Sequence, residues 1–436
     1  MPEAAQSNPT SLRTRTSCRI CGSTELAPVI NLGDQCIAGA FADPGGADPV
    51  KRLVPLELVR CDMTADQNAC GLIQTRHTVP GSILYRSYWY RSGVNRTMTE
   101  NLHEIAREAE GLIGLSAGDL VIDIGCNDGT LLDGYETESL DYLGFDPSDV
   151  SRYAVAKGYE VVNDFFAHAP LAERHPNRKA KVITSIAMFY DLENPADFVR
   201  DVAASLAEDG VWVMELHYLP LMLERNAFDA IVHEHLEYYS LAVLERLFAD
   251  AGLETVAASV NDVNGGSIRL MIGHGKQRQI RPEYAKAIQN LRLSEFELGL
   301  DKADPYTEFA KGSETVRDEL SELCRSLVAQ GKSIHAYGAS TKGNTILQYA
   351  GLDSELIACA ADRNEDKWGS RTIRTNIPIV SEEESRSMKP DYYLVLPWHF
   401  LEEFLERESA FLEGGGRFIV PLPRVHIVGP GGVEEN

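Results

Sequence analysis

The chain has 436 residues, more than one hydrophobic core usually serves, so two or three domains are expected. Its 41 lysines and arginines stand against 65 aspartates and glutamates, a formal charge of -24 that argues against nucleic acid or an anionic membrane as the main partner. No apolar run reaches the roughly 18 residues of a spanning helix, and Met1 to Thr16 lacks the apolar core of a signal peptide, so a cytoplasmic protein with reduced thiols is expected.

Four of the eight cysteines come early. Cys18-Arg-Ile-Cys21-Gly is a tight turn presenting two thiolates, and Cys61 with Cys70 follows. Two thiolate pairs make the closed tetrahedral sulfur site that structural zinc prefers, although Cys61 and Cys70 stand further apart than the usual knuckle. His77 and Cys36 are alternative ligands. Between the pairs, Asp34 to Pro55 is rich in Gly, Pro and Asp and has too little core to fold alone, a deficit that a metal would offset.

Tyr85 to Gly93 is dense in aromatic rings and hydroxyls; Tyr88 and Tyr90 either line a site or pack on the helix expected over Thr97 to Gly111. Asp119 to Ile124 then reads as a short strand buried on both faces. It runs into Gly125-Cys-Asn-Asp-Gly129, a glycine turn expected to open a helix, with Asn127 and Asp128 suited to turn and cap. The spacing is not the dinucleotide fingerprint, and Asp123 and Asp128 would repel a pyrophosphate. Carboxylates here suit a cationic, hydroxyl-rich ligand, S-adenosylmethionine. The next strand, Tyr142 to Asp146, ends in an acid placed for ribose hydroxyls, and Asp164 before Phe165 and Phe166 follows a third strand at the adenine side.

The alternation continues through strand Lys181 to Ile186, helix Pro195 to Leu206 and strand Gly210 to Glu215, giving a doubly wound α/β sheet. Ligands of such sheets bind at the carboxyl ends of strands. That brings Ser185 and Met188 or Phe189 to the cofactor, and His217 or Tyr218 to the substrate. His233-Glu234-His235 carries the densest chemistry, with an imidazole as the natural proton acceptor. Its i, i+2 spacing does not fit a helical zinc pair, and on an extended segment the two imidazoles would share a face with Glu234 opposite.

Asn264-Gly-Gly-Ser267 is either a tight hairpin or a loop touching substrate. The charged stretch Lys276 to Glu319 is expected as a solvated helical connector. Strand Ser333 to Gly338, the turn Gly338 to Asn344 and strand Leu356 to Asp362 repeat the first half's logic, with Ser340 and Lys342 placed to meet a phosphate at a helix N-terminus.

Taken in order, the Cys-x-x-Cys, Asp123-Ile-Gly-Cys-Asn-Asp-Gly-Thr130, Val232-His-Glu-His235, Asn264-Gly-Gly-Ser-Ile-Arg269, His335-Ala-Tyr-Gly-Ala-Ser-Thr-Lys-Gly-Asn344 and Leu394-Val-Leu-Pro-Trp-His399 runs resemble the nucleotide-sugar C-methyltransferases of antibiotic deoxysugar pathways. The resemblance spans Cys18 to Pro423. It implies a small zinc-binding N-terminal domain (1–80), a class I S-adenosylmethionine-dependent domain (81–275), a helical connector (276–329) and a C-terminal Rossmann-like domain (330–436) that helps hold the sugar nucleotide. It implies methylation of a carbon beside the 4-keto group of a nucleotide-linked, expectedly dTDP-linked, 6-deoxyhexose by a monomer or homodimer.

By the same resemblance His235 is the base, Glu234 its neighbouring carboxylate and Tyr90 the active-site tyrosine, with Tyr218 and His217 further candidate donors to the enolate oxygen. Tyr88, Asn264, Ser267, Arg269, Ser340, Lys342 and Asn344 are candidate substrate contacts. Asp123, Gly125, Asn127, Asp128, Asp146, Asp164, Phe165, Ser185 and Met188 are the expected cofactor residues. Some relatives have a tyrosine where this chain has Val232 and a histidine where it reads Met188-Phe189-Tyr190, which leaves C3 and C5 of the sugar both open. Other readings are transfer to an oxygen acceptor, a non-catalytic binding homologue, and a nicotinamide oxidoreductase built on Gly338 to Gly343.

Overall fold

Three large sheets carry the architecture of the computed structural model, which describes residues 12–39, 41–42, 53–84, 90–275 and 281–434. The central sheet takes strands Leu120–Ile124, Asp141–Phe145, Glu160–Val162, Ala180–Ile186, Leu206–His217, Leu253–Asn261 and Ser267–His274. Counted in chain order they lie 3-2-1-4-5-7-6. The first five are parallel, and the seventh runs antiparallel to both neighbours. This is the class I methyltransferase arrangement. Every residue of Leu120–Ile124 is buried, which is why that strand reads as an unbroken apolar run. Trp212, Phe189, Phe198 and Phe248 fill one face of the sheet, while Ile105, Ala109, Leu132 and Val213 fill the other.

The glycine turn does not open an α-helix. After Gly129 the chain makes one short 3-10 turn, Leu132–Gly134, and passes to the next strand. The preceding helix, Arg96–Ile113, lies against this turn: Leu131 and Leu132 share a core with Leu102 and Ile105, and a Cβ on Gly134 would come within 2.7 Å of the His103 Cα.

The N-terminal sheet is antiparallel, in the order Glu237–Tyr238, Ile73–Thr75, Val54–Cys61, Leu26–Gln35. Its edge strand is thus lent by the segment that follows His235. Arg19 reinforces the seam from a fully buried position, 3.4 Å from Glu237 and donating to the Thr75 carbonyl and the Thr78 hydroxyl.

The C-terminal sheet takes strands Ile334–Tyr337, Ala360–Asp362, Ile379–Ser381, Tyr392–Val395, Arg417–Val420, His426–Gly429 and Gly432–Glu434 in the order 3-2-1-4-5-6-7, the first five parallel. Strand Arg371–Thr372 pairs with Phe41–Ala42 of the N-terminal part. Helix Asp304–Ala329, expected to be mostly solvated, instead buries Tyr306, Phe309, Val316, Leu320, Cys324 and Leu327 along one side. That stripe at helical spacing joins one core with residues of all three sheet regions, including Leu58, Phe228 and Ile346. No helix among the described residues is long and apolar enough to cross a membrane.

Candidate active site

The four early cysteines converge. Their sulfurs all lie within 4.8 Å of one another, with Cys18 3.4 Å from Cys70 and Cys21 3.4 Å from Cys61. Four thiolates at about 2.3 Å from a tetrahedral zinc stand in that range, so the residues fit a structural zinc closed by sulfur on all sides. The wide spacing of the second pair is absorbed by the loop between Cys61 and the next strand, folded by Asp62 and Asp66 onto their own backbone. Neither alternative ligand takes part: Cys36 binds Gln348 through its backbone, and His77 pairs with Thr14 in a short ladder.

The carboxyl ends of the central strands form the cofactor side. Gly125 (φ +78°) and Gly129 (φ +76°) hold left-handed conformations that glycine adopts without strain, and a Cβ on Gly125 would stand 3.3 Å from the Met188 side chain. Asp146 lies just past its strand. Its Oδ1 accepts from the Ser148 backbone and hydroxyl, and its Oδ2 accepts from the Asn127 amide at 2.8 Å, which leaves Oδ2 a lone pair for a hydroxyl. Asp164 caps the Phe165 amide, and the Phe165 ring is 54% exposed, an apolar surface that an adenine would cover. These residues fit S-adenosylmethionine.

Four of the expected cofactor side chains are engaged within the protein instead. Asp123 is buried and accepts from the Thr184 hydroxyl at 2.6 Å, joining adjacent strands; burial pushes its carboxyl up to about 7. Ser185 is wholly buried and accepts from the Trp212 indole. Asn127 accepts from the Ser92 amide and donates to the Tyr90 carbonyl, while Asp128 accepts from the Gly93 amide at 3.0 Å. Asn127 and Asp128 therefore fasten the end of the aromatic segment across the glycine turn. Tyr90 is described and partly exposed; Tyr88 lies outside the described residues.

Beyond this mouth, rings gather around His235. Tyr190 approaches it at 4.2 Å between centroids, and His217 stacks on Tyr190 at 5.6 Å and stands 5.6 Å from His235. The His235 Nδ1 lies 2.8 Å from the Ala230 carbonyl. A carbonyl only accepts, so Nδ1 carries the proton and the lone pair is on Nε2, which meets no hydrogen-bond partner among the described residues. Burial, with Lys342 adding, lowers this imidazole to about 3, so it is neutral at pH 7. His217 is held well below the ordinary value by burial and then by Lys342, His235 and His399.

Glu234 does not orient His235. Its carboxylate accepts from the Gly39 amide at 3.1 Å, and His233 reaches the Val54 carbonyl at 3.1 Å. The chain bends at His233-Glu234, so strict alternation fails and both side chains serve the N-terminal part.

Several other expected contacts also have structural partners. Tyr218 donates to Glu295 at 2.8 Å on helix Pro282–Leu298, and Arg269 is buried in a network with Glu215 (2.8 Å), Glu108 (2.9 Å) and Asn101 (2.6 Å). Ser267 bonds to the Val263 carbonyl inside the hairpin that its glycines turn. Ser340 caps helix Thr341–Ala350 by accepting from the Gly343 amide, and Asn344 donates to the Ala38 carbonyl. Lys342 bonds to the Asn264 carbonyl at 2.5 Å. The expected phosphate cradle at this turn is thus occupied by the protein's own bonds, and a Cβ on Gly338 or Gly343 would strike Pro397 or Leu396.

Three residues here carried no assignment from sequence. Tyr190 was masked by its neighbours Met188 and Phe189, the latter wholly buried. Asp229 and His399 arrive from opposite halves of the chain; the Leu394 to His399 run was the available signal. Trp398 donates to Asp229 at 2.9 Å.

Comparison with known proteins covers most of the chain. Family models match as a zinc binding domain over residues 18–85, a methyltransferase domain over 90–258 and a C-methyltransferase C-terminal domain over 262–423. The C-methyltransferase NovU of Streptomyces niveus is 32% identical over 425 residues, which cover 96% of this chain and 98% of that protein. Among solved structures, the mitomycin 7-O-methyltransferase MmcR aligns with a TM-score of 0.33 and 14% identity over 41% of this chain and 54% of its own. The magnesium protoporphyrin IX methyltransferase ChlM of Synechocystis aligns with a TM-score of 0.31 and 12% identity over 40% and 78%. Those two likenesses are too distant to bear on the reaction. On the family models and the near full-length relative, the chain belongs to the NovU-like C-methyltransferases and is an S-adenosylmethionine-dependent enzyme with a structural zinc site.

Proposed function

We propose that the acceptor is a nucleotide-linked 4-keto-6-deoxy sugar, methylated at C3 or C5 after a histidine removes the proton beside the ketone. A 4-keto group acidifies the adjacent C–H bonds, so a base at hydrogen-bond distance leaves an enolate whose carbon is the nucleophile. S-adenosylmethionine, when bound, supplies an electrophilic sulfonium methyl, and transfer removes that positive charge, so the step asks for no catalytic metal. The observation that carries the reading is the His235 tautomer: Nδ1–H is spent on the Ala230 carbonyl, which leaves Nε2 the lone pair of a proton acceptor. Tyr190 and His217 pack against the ring and against each other. The imidazole is a weak base while buried beside a cation, and an anionic substrate and developing enolate raise it by favouring imidazolium.

His235→Asn keeps the shape and removes the acceptor. Methyl transfer to a 4-keto sugar nucleotide is expected to fall by about 100-fold or more while adenosylmethionine affinity, read by calorimetry, is unchanged. Transfer at the wild-type rate would remove His235 from the role.

A further inference from the structure

We propose that Lys342, delivered from the C-terminal domain, is a catalytic residue of this reaction: its ammonium donates to the ketone oxygen as that oxygen becomes an enolate. The inference rests on the carbanion reading above and supplies it with a cationic donor. Tyr218 is spent on Glu295, and the buried imidazoles of His217 and His399 are neutral and bring no positive charge to an oxyanion.

The placement is built by helix Thr341–Ala350, which wedges between the other two domains. Thr345 donates to the Ile231 carbonyl, Asn344 to the Ala38 carbonyl, and Gln348 both accepts from and donates to the Cys36 backbone. Those bonds fix the first turn four residues from the chain segment that carries His235. Lys342, at the start of this helix, makes one hydrogen bond among the described residues, to the Asn264 carbonyl, which leaves two N–H donors.

The surroundings are those of a site awaiting a polar group. Asp229 is 1% exposed and gives one oxygen to Trp398; its Oδ1 is buried without a hydrogen-bond partner, as is the Nδ1 of His399. Lys342 acts electrostatically on His217, His235 and His399, and Asp229 acts on it in turn. A lysine serving only a phosphate would gain nothing from standing among the imidazoles. An oxyanion forming beside His235 gains a positive charge in a dry setting, where such a donor is worth most.

The step balances. The His235 Nε2 takes the C–H proton, that electron pair forms the C=C bond, and the carbonyl π pair moves to oxygen, where Lys342 N–H meets it. The carbonyl then reforms as the C=C pair makes the new C–C bond to the methyl, the sulfur leaves as a neutral thioether, and His235 returns its proton to water. Burial lowers Lys342 to about 8 against the pull of Asp229, so it is charged at pH 7, and its positive charge is lost as pH rises through that value. The groups facing it are Asp229, His217, His235 and His399, and none of the imidazoles titrates above pH 7.

The test separates enolisation from transfer. Full-length enzyme with S-adenosylhomocysteine and dTDP-4-keto-6-deoxyglucose in D2O is followed by NMR for deuterium entry beside the ketone, alongside steady-state methylation. Lys342→Met is expected to lose about 100-fold in both exchange and kcat, with KM changed by less than about threefold. Lys342→Arg is expected to retain exchange and to move the falling alkaline limb from about pH 8 to beyond pH 10. Unchanged adenosylmethionine binding in both variants shows intact folding. A rise in KM alone, or full exchange by Lys342→Met, overturns the catalytic role and leaves His235 in place. Absence of exchange and of methylation in the wild type overturns the carbanion reading and this inference with it.

Discussion

His235 and Glu234 are adjacent in sequence and belong to different parts of the molecule: one imidazole joins the ring cluster, while the carboxylate holds Gly39 of the N-terminal part. Residue type made both visible as candidates, and nothing local distinguished them, because the bend at His233-Glu234 is set by pairing of Glu237–Tyr238 with a strand far earlier in the chain. Tyr218 and Arg269 show the same limit. A phenol and a guanidinium at strand ends look equally fit for substrate or for structure, and here Glu295 and Glu215 decide for structure. Tyr218→Phe is therefore expected to leave kcat within about threefold while costing about 1 kcal/mol of stability in urea, since Glu295 keeps its two backbone donors. A loss of transfer comparable to that of His235→Asn, at unchanged stability, would return Tyr218 to the catalytic set.

At the level of elements, the parallel strands were legible because burial on both faces leaves an unmistakable apolar run, and Leu120–Ile124 and Ala180–Ile186 lie within a residue of expectation. The missing helix after the glycine turn was not, since it depends on Arg96–Ile113 packing against that turn. Helix Asp304–Ala329 was misjudged for a different reason. Its charged residues dominate composition, yet the apolar ones recur at helical spacing and make a continuous stripe. Leu320 is wholly buried in the core that this helix shares with all three sheet regions. Leu320→Ala should cost about 2–5 kcal/mol in denaturant unfolding, as for a core leucine, where a solvated connector would lose less than about 0.5 kcal/mol.

For the molecule as a whole, sequence order conceals how far the parts interpenetrate. Glu237–Tyr238 completes the N-terminal sheet, Arg371–Thr372 pairs with Phe41–Ala42, and the helix bearing Lys342 is tied to both other domains. The strand and glycine turn expected to serve the donor were readable because they are close in sequence. The proposed acceptor side was readable only in fragments, since Tyr190, Asp229, His235, Lys342 and His399 come from distant parts of the chain. On the proposed reading, a methyl donor at the strand ends and an acceptor among the three domains lead to transfer to a carbon activated beside His235. Incubation of the wild-type enzyme with S-adenosylmethionine carrying a ¹³C methyl and dTDP-4-keto-6-deoxyglucose, followed by carbon NMR of the product, tests this directly. The account predicts label in a methyl bonded to ring carbon C3 or C5 beside an intact ketone; label in an O-methyl group, or none in the sugar, contradicts it.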